Sequence, residues 1–88
     1  MPLTRQNASS PATSPETEVV DARGQRCPMP LLMAKRALNA LQSGHNLQVL
    51  ATDETAIRDF EVFSRQSGHP LLAAERVGDE YHILLEKR

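Results

Sequence analysis

A single cysteine, Cys27, occurs in the 88 residues of the chain. No disulfide can close within the molecule, and neither a Cys-x-x-Cys dithiol nor a thiolate-rich zinc cluster can be built. Any thiol chemistry must therefore pass between molecules. Aromatic residues are nearly as scarce, with two Phe, one Tyr and no Trp, which leaves no basic-aromatic stripe on which nucleic acid could stack. Neither sign of charge is in excess: ten Lys and Arg stand against eleven Asp and Glu. No surplus of cations exists to neutralise a phosphate backbone. No apolar run approaches the ~20 residues that cross a bilayer, and the first residues, MPLTRQNASS, lack the apolar core of a secretory leader. These absences predict a soluble, cytoplasmic chain with no membrane contact and no direct nucleic-acid binding.

Apolar residues make up 40% of the chain, an ordinary share for a globular protein and sufficient for one small core without disulfides or metals. Residues 1–17 hold three of the six prolines, several Ser and Thr, and Leu3 as the one large aliphatic residue after Met1. Such a stretch cannot bury enough apolar surface to offset its ordering entropy, so it is expected to be a disordered tail, leaving 18–88 as the folded domain. Val19 and Val20 open a strand closed by Gly24. Beyond Pro28 and Pro30 a helix is expected to run to about Gln42. Its apolar stripe is Leu31, Ala34, Ala37, Leu38 and Leu41, and Gly44 is placed as its C′ residue. Leu47–Ala51 reads as a strand, with Thr52 or Asp53 capping a second helix over Ala56–Ser67. That helix turns Ala56, Ile57, Phe60 and Phe63 inward. Leu71–Val77 and Glu80–Lys87 read as strands joined by a hairpin at Gly78-Asp79. The order βαβαββ, with right-handed crossovers, predicts an α/β two-layer sandwich: two helices on one face of a mixed four-stranded sheet.

Lone cysteines are most often buried small hydrophobes. Cys27 differs in its place, on the polar stretch Arg23-Gly24-Gln25-Arg26 at the start of a helix. The helix dipole, the charges of Arg23 and Arg26 and the unpaired first-turn amides, including those of Met29 and Leu31, are all expected to favour a sulfur anion. Pro28 biases Cys27 to an extended, cap-like backbone, and Pro28 with Pro30 stiffens the turn beneath it. Met29, Leu32, Met33 and Arg36 fall opposite the core stripe, an expected partner-docking patch beside the cysteine. His45, His69 and His82 have no metal-ligand spacing, and no metal site is expected.

The segment Val20-Asp21-Ala22-Arg23-Gly24-Gln25-Arg26-Cys27-Pro28-Met29-Pro30 resembles the TusA/SirA family of small sulfur-carrier proteins through its Cys-Pro-x-Pro signature. Ala51-Thr52-Asp53, Arg58-Asp59 and Gly68-His69 before Leu71-Leu72 extend the resemblance over residues 19–87. It implies the βαβαββ sandwich and a sulfurtransferase relay in which Cys27 receives sulfane sulfur as a persulfide, with no other cofactor. The implied partners are a donor, of the cysteine desulfurase or rhodanese type, and an acceptor relay protein, met by a monomer in transient complexes. One branch of the family serves tRNA thiolation; others serve sulfur oxidation or molybdenum-cofactor assembly. Two positions depart from the pattern: Glu54 replaces a common proline, and Met29 stands where the tRNA-thiolation branch carries an acidic residue, which leaves the route of the sulfur open. The rival readings are a regulatory domain with an incidental cysteine and a small RNA-binding module.

Overall fold

The computed structural model describes residues 17–88. Most of the expected tail lies outside them, and Thr17 already belongs to the first strand. The elements are β1 (Thr17–Ala22), α1 (Met29–Ala40), β2 (Asn46–Ala51), α2 (Ala56–Ser67), β3 (Leu71–Val77) and β4 (Glu80–Glu86). The expected order βαβαββ is thus observed, and α2 and β3 have the limits read from the sequence.

Each β-α-β crossover must return the chain to the helical side of the sheet, and the strand order is β1-β2-β4-β3. β1 lies parallel to β2, while β4 runs antiparallel to both β2 and β3. The period-2 alternation of β2 and β4 decides the faces. Leu47, Val49, Ala51, Ile83 and Leu85 are buried, and the pairs Val49–Ile83 and Leu47–Leu85 sit side by side on the covered face. Against them α1 presents Ala34 and Leu38, and α2 presents Phe60 and Phe63. α1 packs on β1 and β2, and α2 on β3 and β4. The two phenyl rings meet edge to face at 6.4 Å, the favoured geometry for an aromatic pair. Lys35 of α1 lies 5.7 Å above the Phe63 ring, a cation–π tie between the helices. The opposite face of the sheet is open, with Val19 61% exposed.

Several boundaries differ from the sequence reading: β1 begins at Thr17 rather than Val19 and β2 at Asn46 rather than Leu47, and the ends of α1 and β4 also shift. α1 was expected to reach Gln42, with Gly44 beyond its end. It stops at Ala40, and Leu41 is extended at φ −90°, ψ 154°. Leu41 packs against the core from that conformation, and the Lys87 ammonium donates to the Leu38 carbonyl. The Leu38 carbonyl, which takes the Leu41 N–H at 3.0 Å as the helix ends, thereby gains a second donor from the far end of the domain. Gly44, at φ +91°, instead turns the chain into β2 and donates its N–H to the Lys87 carbonyl at 2.8 Å. β4 ends at Glu86, one residue before the expected Lys87. No helix of the described residues is long and apolar enough to cross a membrane.

Candidate functional site

β1 and β2 are parallel and in register up to the pair Ala22–Ala51. The loops that leave their carboxyl ends, residues 23–28 and 52–55, therefore run side by side at the edge where open α/β sheets bind ligands. Between them lies an open depression of about 440 Å³, lined by Gly24–Arg26 and Thr52–Thr55. The first loop turns at Gly24, whose φ of +81° suits glycine, and Gln25 N–H donates to the Ala22 carbonyl at 3.1 Å. The second loop grips the first at two points. Thr52 Oγ1 accepts the Gly24 N–H at 2.8 Å, and Asp53 Oδ2 accepts the Cys27 N–H at 2.6 Å. Asp53 Oδ1 accepts both the N–H and the hydroxyl of Thr55, at 2.8 and 2.7 Å. Thr55, the N-cap residue of α2, in turn reaches Asp59 Oδ2 at 3.4 Å.

Cys27 is exposed. Its peptide bond to Pro28 is cis. Pro28 rather than Cys27 is the N-cap residue of α1, at φ −98°, ψ 15°, and Pro30 occupies the first turn with its ring buried. The cysteine is thus set one residue ahead of the cap position expected for it.

The acidity of the thiol runs opposite to the sequence expectation. Its pKa is raised, first by a hydrogen bond to the Asp59 carboxylate, then by desolvation and the charges of Asp59 and Asp53, against a smaller lowering by Thr55. The partial charge at the α1 N-terminus is only about half a unit, and it is opposed by the full carboxylate charges of Asp59 on α2 and Asp53 in the loop before it. The expected cationic support is directed elsewhere. The Arg23 guanidinium forks onto Asp21 at 2.8 and 2.9 Å and reaches Glu80 at 3.2 Å. This pair holds the Asp21 carboxyl down at about 2. Arg26 acts on Asp53, helping Thr55 and Cys27 to keep that carboxylate ionised. The Met29 amide, expected to be free for an anion, donates to the Arg26 carbonyl at 2.7 Å.

Asp59→Asn removes the strongest influence that favours the neutral thiol, so the thiol pKa falls and the thiolate fraction at neutral pH rises. The pH profile of Cys27 alkylation by iodoacetamide should shift to lower pH in this variant. An unchanged or upward-shifted profile contradicts the assignment.

The model of a protein family described as sulfurtransferase TusA matches residues 18–87. The chain belongs to the TusA family. A sulfur carrier protein TusA of Allochromatium vinosum is 43% identical over 68 residues, which cover 77% of this chain and 90% of that protein. A putative sulfur carrier protein of Bacillus subtilis, YrkI, is 41% identical across 80% of this chain and 93% of its own. The crystal structure of a SirA-like protein from Desulfitobacterium hafniense superimposes with a TM-score of 0.68 at 25% identity, covering 77% of this chain and 93% of the other.

In this TusA-family chain the expected docking patch is only partly assembled. Met29 and Leu32 are 42% and 46% exposed, one helical turn apart and directly after the cysteine loop. Arg36 is exposed as well. Met33 is half-buried and packs against the core, because its position on α1 borders the stripe of Ala34 and Ala37. The sequence reading misses Thr55 and Asp59, which act on the thiol. It places Thr52 or Asp53 as the cap of α2, whereas the N-cap is Thr55, and Thr52 and Asp53 both bond the Cys27 loop. The parallel pairing of β1 and β2 was the available signal, since it makes the residues that follow both strands neighbours.

Proposed function

We propose that this protein is a sulfur carrier that holds sulfane sulfur as a persulfide on Cys27 and passes it from a donor protein to an acceptor protein. The observation that carries the reading is the placement of its one cysteine: exposed, on a loop gripped through its own backbone, at the carboxyl edge of the sheet. Membership of the TusA family and relatives named as sulfur carriers support it. In loading, the Cys27 thiol gives up its proton, and the Asp59 carboxylate, the largest influence on its acidity, is the base we assign to take it. The thiolate attacks the outer sulfur of a donor persulfide; that S–S bond breaks, the donor leaves as a thiolate, and Cys27 becomes a persulfide with no net redox change. In unloading, an acceptor thiolate attacks the outer sulfur and Cys27 leaves as the thiolate. No second cysteine exists to collapse the persulfide into an internal disulfide. The donors that fit are a cysteine desulfurase or a rhodanese-type protein, and a tRNA-thiolation relay is one route for the sulfur.

The relay is tested by incubating the chain with a cysteine desulfurase and ³⁵S-cysteine, removing the donor, and adding an acceptor thiol protein. Label must appear first on the carrier and then on the acceptor. Label that never leaves the carrier, or never reaches it, contradicts a carrier role. The exposed apolar residues beside the sulfur set the docking prediction. Leu32→Glu should slow loading by the protein donor about tenfold while leaving the melting temperature unchanged, since a charge at the centre of an apolar contact costs about 1–3 kcal/mol of binding. Leu32 is the cleaner probe than Met33, where a glutamate would also disturb the core. Equal loading rates in wild type and Leu32→Glu remove the docking assignment.

A further inference from the structure

We propose that Asp53 is the positioning residue of the sulfur site, fixing the Cys27 loop against α2 through the Cys27 amide so that an incoming donor persulfide meets the sulfur in a set geometry. The inference deepens the carrier reading and rests on it.

The Cys27 loop is exposed along its whole length from Arg23 to Pro28, so packing does not hold it. Beyond its own turn bonds and the Arg23 ion pairs, what ties it to the neighbouring loop is a pair of bonds, Gly24 N–H to Thr52 and Cys27 N–H to Asp53. The second falls on the cysteine itself. It is short, 2.6 Å, as bonds to an ionised acceptor are. Asp53 is itself fixed, because its other oxygen takes two donors from Thr55 at the start of α2. The sulfur-bearing residue is thereby referred to a helix rather than to a loop. Electrostatics alone would disfavour a carboxylate here. Asp53, together with Asp59, opposes the Cys27 thiolate, and Arg26 is the cation that acts on Asp53. A group that opposes the reactive ion yet bonds the backbone beneath it acts through position.

Transfer between two protein-bound sulfurs depends on alignment, and a misplacement of about 1 Å costs on the order of a hundredfold in such reactions. A small alkylating reagent approaches freely and has no such demand. The test compares the two. Asp53→Asn has one acceptor oxygen, so it can serve Thr55 or Cys27 but not both. Asp53→Glu keeps the charge and both acceptors but displaces them by one methylene. In both variants, sulfur uptake from a cysteine desulfurase loaded with cysteine should slow about tenfold or more. Alkylation by iodoacetamide at neutral pH should not slow in either, and its pH profile should move to lower pH only in Asp53→Asn. Uptake within twofold of wild type in both variants overturns the inference. So does a parallel loss of uptake and alkylation that follows a fall in the urea midpoint, which marks a purely structural residue. If the wild type takes up no sulfur, the carrier reading itself fails, and the positioning role fails with it.

Discussion

A chain carrying Cys27→Ser should take up no sulfur from any persulfide donor and should fold as the wild type does. The loss is complete because the chemistry has no second home: the sequence contains no other cysteine, and a serine hydroxyl cannot hold sulfane sulfur. The fold survives because the side chain is exposed and makes no part of the core. Substitutions at such surface positions change stability by about 0.5 kcal/mol or less. The backbone bond to Asp53 uses the amide of residue 27, which serine retains. The check is sulfur uptake from a loaded cysteine desulfurase beside a thermal melt followed by circular dichroism. Uptake by Cys27→Ser above the level without donor places the sulfur on another group. A fall of several degrees in the melting temperature shows that the cysteine is structural.

The second large effect concerns the fold that presents the cysteine. Phe60→Ala should leave most of the chain marginally folded or unfolded. Phe60 is the largest fully buried side chain of the described residues, and it sits in the core on α2 while stacking edge-on against Phe63. Truncation of a buried phenylalanine costs about 3–5 kcal/mol. A domain of this size has a total stability of only about 4–11 kcal/mol at ~0.05–0.15 kcal/mol per residue. Val19→Ala, on the open face of the sheet, serves as the contrast and should change stability by about 0.5 kcal/mol or less. Urea unfolding of both variants checks the pair. A midpoint for Phe60→Ala equal to that of the wild type contradicts the core as described.

What could be read from the chain beforehand follows from how local each cause is. The inward set of α2, Ala56, Phe60 and Phe63, and its end at Gly68 depend on 3.6-residue periodicity and a left-handed glycine, both written within a few residues. The Gly78 hairpin and the alternation of Ile83 and Leu85 are equally local. The early end of α1 is not, because Leu41 leaves the helix to pack on a core assembled from distant elements. The ammonium that joins it at the Leu38 carbonyl comes from Lys87, at the far end of the domain. The site divides in the same way. An exposed Cys27 at a proline-stiffened helix start was legible. The sign of its acidity was not, since Asp59 on α2 and Thr55 at its N-cap act on the sulfur only once the parallel strands have been brought together. Arg23 shows the converse error. Its strongest partner, Asp21, lies two residues away and was available from the sequence, yet nearness to the cysteine suggested another role.

The central claim is that Cys27 carries one sulfur atom, and the intact mass of the protein tests it most directly. After incubation with a cysteine desulfurase and cysteine, followed by removal of the donor, the wild type should gain about 32 Da, the mass of one sulfur. The gain should vanish on treatment with a reducing thiol and map to the peptide that contains Cys27. An unchanged wild-type mass under conditions in which the desulfurase is itself loaded would contradict the account.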